Sequence, residues 1–271
     1  MGAAFLLNVL QTAVGTALGF LLGIWAFHYQ QEQLEEKRKA DDRRAAHDAL
    51  QRLTVAAGLN LEALAHIKLQ IVNELFPEAK QMQQVANANY NATKIEEKKK
   101  NFDVLKATAE SARWLYISMP KVPAMPPPEV REYSSLMSEM PALSLFVHRA
   151  EGMIAELNER IVSRNALIAK HSSENTSGQG MQPQRHLYFA GMLADEGMAI
   201  CENTDLAMYC WKLASDQIDA YMRKKAPSEP YARFELVDQV VDQLPKEDLL
   251  PLMSEQLVTF SEAKDRKQQR R

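Results

Sequence analysis

Along most of this chain hydrophobic residues recur every three or four positions, the spacing of amphipathic helices, but the first 31 residues depart from that pattern. Between Met1 and Gln31 there is no Lys, Arg, Asp or Glu, and the apolar run Ala3–Phe27 is unbroken by charge. A helix needs roughly 20 apolar residues to cross a bilayer. The pattern therefore predicts a transmembrane helix within residues 1–31. A cleaved signal peptide is disfavoured because the start lacks a basic residue, the apolar run is too long and no small-residue cleavage site follows.

The residues at the end of this run predict its orientation. Trp25, Phe27 and Tyr29 stand where aromatic side chains settle at a membrane surface. Basic residues follow on this side only, and they are Lys37, Arg38, Lys39, Arg43 and Arg44. Lys and Arg near a span favour its cytoplasmic side. We therefore expect a single-pass protein of the cell (inner) membrane, with its amino terminus outside, the bulk of the chain cytoplasmic, and Trp25, Tyr29 and the basic residues as membrane-interface anchors.

The stretch TAVGTALGFLLGIW, residues 12–25, carries a glycine at every fourth position. At about 100° per residue, every glycine and polar residue from position 8 to position 24 projects within an arc of about 140°. This face comprises Asn8, Gln11, Thr12, Gly15, Thr16, Gly19 and Gly23. Small residues at this spacing let helices approach closely, and amides in a bilayer need partners, so the face predicts self-association or packing against another membrane subunit. The pattern leaves open whether the packed face is dry or lines a narrow pore.

The remainder predicts a cytosolic helical bundle, so the expected fold class is all-α: one amino-terminal transmembrane helix followed by an antiparallel bundle. Residues 32–118 are predicted to form a long juxtamembrane helix and then a polar helical segment. The helix is charged at first, then apolar on one face, and is expected to end at Pro77. The polar segment is expected to break near Asn87–Asn91.

Residues 119–130 form a proline-rich connector, in which Pro120, Pro123 and Pro126 recur at every third position. Such prolines line one face of a polyproline II helix, which aromatic grooves bind. The favoured alternative is an extended crossing over the end of the bundle.

Residues 131–226 are predicted to hold a long antiparallel helix pair, Ala142–His171 and Arg185–Lys224, joined by the polar loop Ser172–Gln184. Residues 227–271 are predicted to form two shorter helices, Tyr231–Leu244 and Lys246–Lys264, and a basic tail. A solvated end is the favoured interpretation of that tail, and contact with anionic lipid is the alternative.

Composition and motifs narrow the classes of function. The net charge is only −3, with both signs interleaved, so a nucleic-acid partner is not expected. Cys201 and Cys210 are the two cysteines; they point to opposite sides of one helix, cannot pair, and so favour a reducing compartment. The sequence has no phosphate-binding loop, no C-x-x-C pair, no nucleophile elbow and no Glu-x-x-His pattern of a di-metal bundle. We therefore expect no catalytic residue, no metal and no cofactor.

Two hypotheses for function follow. In the first, a non-enzymatic membrane protein self-associates through the glycine and polar face, and its cytosolic bundle senses or binds a partner, as a membrane effector or channel-like assembly. In the second, the span serves only as an anchor, and the protein is an adaptor or scaffold that recruits a cytosolic protein. The expected partners are membrane lipid, further copies of the chain and a cytosolic protein. The layout is similar to that of bacterial inner-membrane proteins and of membrane effectors in defence systems, a likeness of architecture that assigns no residue a role.

Overall fold

The computed structural model describes residues 2–176, 182–225, 231, 235–246 and 248–249. Before Leu18 it describes the backbone alone, except that the exposure of Gly15 is also described. The regular elements of these residues are all helical. Helix accounts for 83% of the structure and the described residues contain no strand, so the prediction of an all-helical chain is confirmed for them.

The first 90 residues of the fold form one continuous helical column. Helix α1 (Gly2–Ile67) passes through a π-helical turn (Lys68–Val72) directly into α2 (Asn73–Asn91). At 1.5 Å per residue this column is about 135 Å long. Its first buried side chain is Ala46, and the buried positions then recur every three or four residues. The column therefore stands clear of the bundle before Ala46 and forms part of the core after it.

The prediction that this helix ends at Pro77 is wrong, because α2 continues through the proline to Asn91. A proline inside a helix lacks a donor and its ring crowds the carbonyl four residues earlier, which is here that of Asn73. The wider π-helical turn ends immediately before Asn73, whose N–H bonds to the carbonyl of Lys68. Leu75 and Ala79, on either side of the proline, are fully buried. Packing therefore outweighs the local cost of the proline.

Two long helices complete the bundle: the second packs against the column, and the first packs against the second. Helix α4 (Leu143–Asn175) and helix α5 (Pro183–Lys225) match the predicted pair with slightly longer bounds. Arg185 bonds to Glu174 at 2.9 Å near the joined ends, and Arg160 lies 3.5 Å from Glu196 farther along. Since positions fall on α4 as they rise on α5, the two helices run antiparallel.

Helix α5 also runs antiparallel to the column, because its contacts move toward the start of α1 as α5 proceeds. The contacts that mark this are Gln83 with Asp195 at 2.6 Å, Lys68 with Asp205 at 2.5 Å, and His47 with Tyr221 at 3.3 Å. The helices lie close together at Gly197, where an added Cβ would lie 3.3 Å from the Cβ of Ala79.

Helix α3 (Ile95–Ser111) folds back on α2 after a break at residues 92–94, directly beyond the predicted break at Asn87–Asn91. The side chain of Asn101 donates to the carbonyl of Ala88 at 3.1 Å across this turn. Three short 3₁₀ turns, Trp114–Tyr116, Val130–Glu132 and Ser134–Leu136, then interrupt the chain between α3 and α4.

The predicted helix Tyr231–Leu244 is wrong in extent, because among its described residues only Asp238–Val241 (α6) is helical. The described residues before it are not helical, and tertiary contacts hold the segment instead. Tyr231 donates to Asp219 at 2.6 Å, and Lys68 donates to the carbonyl of Gln243 at 2.8 Å. A helix this short is not stable by itself, so such contacts decide the local path. The predicted helix Lys246–Lys264 lies largely outside the described residues, and 246, 248 and 249 are not helical.

Replacing Pro77 with alanine tests the account of the column. Pro77→Ala supplies the missing donor and removes the ring, so we expect the free energy of unfolding to rise by about 1–3 kcal/mol. Denaturant titration of the full chain in detergent, followed by circular dichroism, measures this change. Gln81→Ala, at an exposed position one turn later, is the control and is expected to change stability far less. A destabilised Pro77→Ala variant would contradict the account.

Candidate functional site

The predicted site lies on the part of α1 that stands clear of the bundle. Gly15 and every residue from 18 to 45 are exposed. The exposed side chains include large apolar ones, with Phe20 at 69%, Leu22 at 64% and Trp25 at 68% exposure. Contiguous apolar surface of this kind is unfavourable in water and typical of a surface that contacts lipid or protein.

The glycines of the predicted face leave an open strip on this helix. A Cβ added at Gly15, Gly19 or Gly23 would meet no atom within 4 Å. Contacts between described residues of one chain therefore do not explain why these positions are glycine. The face has four further predicted members, whose backbone is helical and whose side chains lie outside the described residues: Asn8, Gln11, Thr12 and Thr16.

The predicted interface anchors follow on the same helix. The rings of Trp25 and Tyr29 stack one turn apart, with centroids 5.9 Å apart and planes 16° from parallel. The five basic anchors are all exposed: Lys37, Arg38, Lys39, Arg43 and Arg44. From Phe27 to Ala46 the helix rises about 28 Å at 1.5 Å per residue. These side chains thus lie between the apolar run and the bundle.

One helix is long and apolar enough to cross a membrane by length and composition. Within Leu18–Asn91, the 18-residue stretch that is apolar enough, with a mean hydropathy of 1.2, is 56% buried. Because residues 18–45 are all exposed, that stretch lies farther along, where the helix runs through the core. The case for a span at Ala3–Phe27 therefore rests on the sequence and on the exposure of the apolar side chains from Leu18 to Phe27.

Within the bundle, the side chain of Arg164 on α4 is fully buried. Its guanidinium donates to the carbonyls of Trp114 at 2.6 Å, Leu115 at 3.1 Å and Ile117 at 2.7 Å. Burial lowers the pKa of Arg164 to about 10, while the nearby Cys201 and Glu78 oppose that shift. The guanidinium therefore holds the carbonyl end of the 3₁₀ turn Trp114–Tyr116.

Glu78 of α2 holds the other end of that turn. Its carboxylate accepts hydrogen bonds from the backbone N–H groups of Arg113 at 3.0 Å, Trp114 at 2.7 Å and Leu115 at 3.1 Å. An anion at the N–H end and a cation at the C=O end both interact favourably with the dipole of the turn. The two charged side chains thereby join α2 and α4 through the backbone between them.

Three asparagines hold the chain that follows, which we call the proline segment (residues 117–129). Each asparagine side chain bonds to both the N–H and the C=O of one residue, at distances of 2.7–3.0 Å. The pairs are Asn165 with Met119, Asn158 with Val122, and Asn60 with Met125. The segment therefore runs along α4 and then reaches α1, so the predicted crossing over the end of the bundle is wrong. These side chains replace the backbone partners that an extended chain lacks.

Two histidines meet near the joined ends of α4 and α5. His171 Nε2 lies 2.9 Å from His186 Nδ1, and the ring of Tyr116 stacks on both imidazoles with centroids 4.7 and 5.7 Å away. Burial lowers the pKa of His171, as does the neighbouring His186, while Glu174 opposes them. A hydrogen bond between two imidazoles requires at least one neutral ring, which fits this environment.

The two cysteine thiols of the bundle are poorly reactive. Burial raises the pKa of Cys201 to about 12 and that of Cys210 to about 11, so both thiols stay protonated and poorly nucleophilic. Among the described residues no group of three or more His, Cys, Asp or Glu side chains is placed to hold a metal ion. A groove of about 430 Å³ lies between α1, α5, Tyr231 and residues 235–241, and two of its charged pairs are Lys212 with Asp216 at 2.5 Å and Arg223 with Asp219 at 2.6 Å.

Comparisons with known proteins give no relative to guide interpretation: no family model matches the chain, and neither a curated protein nor a solved structure matches it significantly. Function must therefore be argued from the surface of α1 and from the contacts of the bundle.

Removing the Arg164 guanidinium tests its role in the bundle. Arg164→Met removes three charge-assisted hydrogen bonds to backbone carbonyls, although the carbonyl of Trp114 keeps the N–H of Ile117 at 3.3 Å, so we expect a loss of about 3–5 kcal/mol in the free energy of unfolding. Arg160→Met is the matched control, because the Arg160 side chain is 43% exposed and we expect a cost below about 1 kcal/mol. Denaturant titration of both variants gives the comparison. Equal losses would contradict the assigned role.

The histidine pair predicts a pH dependence of stability. Since the folded-state pKa of His171 lies below its unfolded value of about 6.5, its contribution is complete above that value and is lost as the pH falls through it toward the folded-state pKa. The melting temperature should therefore fall between pH 7.5 and pH 5, and His171→Gln should reduce that fall. Thermal unfolding at both pH values measures it, and an undiminished fall in the variant would refute the assignment.

Proposed function

We propose that this protein is a non-enzymatic, membrane-anchored homo-oligomer. Its amino-terminal helix crosses the inner membrane with the amino terminus outside, and copies associate through the face from Asn8 to Gly23. The bundle lies in the cytoplasm and binds a partner or ligand that alters the packing of the spans, as expected of a membrane effector. The observation that carries the proposal is the open glycine strip at Gly15, Gly19 and Gly23 on an exposed apolar helix.

Two physical constraints on the amino-terminal helix support this proposal. Exposed apolar side chains from Leu18 to Phe27 are favourable only out of water, and a bilayer supplies that environment for a helix of this length. Within a bilayer, lipid gives no hydrophobic reason for helices to associate, so small residues that allow close backbone packing decide where they meet. The side-chain amides of Asn8 and Gln11 need hydrogen-bond partners within a bilayer, and a second copy of the span supplies them.

The basic residues between the span and the bundle support the proposed orientation. Lys37, Lys39 and Arg43 lie on the side of the apolar run that also carries the bundle. The positive-inside rule then places the bundle in the cytoplasm. The two cysteines are buried and form no disulfide with each other, which is compatible with that reducing compartment.

A single substitution tests the proposed association. Gly19→Ile puts a branched side chain where the helices are to meet, so we expect the dissociation constant of the oligomer to rise at least about tenfold, or 1.4 kcal/mol. Leu21→Ile, on the opposite side of the helix, is the control. Mass determination in detergent and cross-linking in liposomes measure the oligomer.

Exchange of the whole span separates the proposal from the anchor hypothesis. A polyleucine span of equal length keeps the anchor and removes the glycine face. Assembly and function should both be lost if the face is responsible. Normal assembly or function with polyleucine would instead support an adaptor whose span serves only as an anchor.

A further inference from the structure

The three asparagine contacts define the conformation of the proline segment. They hold Met119, Val122 and Met125, which are spaced by three, and each contributes both its N–H and its C=O. In a β-strand, residues three apart face opposite sides, whereas in a polyproline II helix with three residues per turn they share one edge. The dihedral angles at Glu129, φ −64° and ψ 143°, also belong to that conformation. The segment is therefore a polyproline II helix with one edge fixed to the bundle.

From Pro120 to Pro126 the other two edges of the segment face solvent, whereas Pro127, the next residue on the edge of Lys121, is half-buried. Pro120, Pro123 and Pro126 form one edge and are all exposed, and Lys121 and Ala124 are exposed on the next. Met119 and Val122, on the fixed edge, are each 3% exposed. The proline rings thus form an ordered row on the outside of the protein.

The three asparagine contacts also lower the entropic cost of binding a partner at the row of proline rings. A free peptide must be ordered when it binds, and that cost is subtracted from its affinity. Here folding has already ordered the backbone, since Asn158 and Asn165 hold two positions of the segment on α4. A rigid row of proline rings at the polyproline II repeat is the feature that aromatic-lined grooves recognise.

We propose that the edge formed by Pro120, Pro123 and Pro126 is a docking site for a protein partner whose binding groove is lined with aromatic side chains. Because Met119 and Val122 are buried, the partner contacts the proline edge together with the edge of Lys121 and Ala124. The ammonium of Lys121 favours an acidic residue at the rim of that groove. The site does not depend on how the membrane helices associate.

Photocross-linking in the cells that make the protein tests this site. A benzoylphenylalanine at Lys121 of the full chain should give an adduct with a protein, and decaproline added to the isolated membranes before irradiation should reduce its yield at least tenfold. A Gly-Ser peptide of equal length is the control competitor. The same probe at Val162, which is 49% exposed on α4, reports chance contacts. No adduct above that at Val162, an adduct with lipid, or one that decaproline leaves unchanged would overturn the proposal.

Substitutions then locate the contact. Replacing Pro120, Pro123 and Pro126 together with alanine should reduce the adduct at least tenfold, whereas Pro141→Ala, at an exposed proline outside the segment, should not. Asn158→Ala keeps every proline and frees the backbone, so it should also lower the yield. Thermal unfolding confirms that each variant is folded. An adduct that survives in the folded triple variant would overturn the proposal, and Gly19→Ile should leave it unchanged whatever that variant does to assembly.

Discussion

The bundle depends on one arrangement of charge: Arg164 and Glu78 hold the two ends of a single 3₁₀ turn. A guanidinium removed from water is costly unless its donors are used, and here three carbonyls accept from it. The carboxylate accepts three N–H groups at the other end. This turn links α3 to the proline segment, so the path of that segment along α4 and on to α1 depends on it.

The protein divides into two parts that suit different solvents. After Ala46 the column α1–α2 has buried and exposed faces, as expected of a helix in a water-soluble bundle. Before Ala46 its described side chains are all exposed, polar in the charged stretch and apolar toward the amino terminus. One uninterrupted helix connects the two parts. A rotation or tilt at one end would therefore be transmitted to the other without a flexible joint, which is relevant to any effector in which the bundle controls the span.

Polar chemistry in the bundle serves structure in most of the contacts described. The buried arginine, the three asparagines of the proline segment and the carboxylate of Glu78 all bind backbone groups of the same chain. The cysteines are buried as protonated thiols. The exposed half of α1 and the row of prolines are two surfaces open to other molecules.

The sequence by itself determined the helices, since apolar spacing and turn residues act over a few positions: the bounds of α4 and α5 agree with prediction within about four residues. It also determined the charge-free run and the register of its glycines. Only the tertiary structure decided that α2 continues through Pro77, that Tyr231 and residues 235–237 are not helical, and that Asn60, Asn158 and Asn165 hold the proline segment. These outcomes depend on contacts between residues as many as 175 positions apart, such as Lys68 with Gln243, and a local pattern holds no record of such partners.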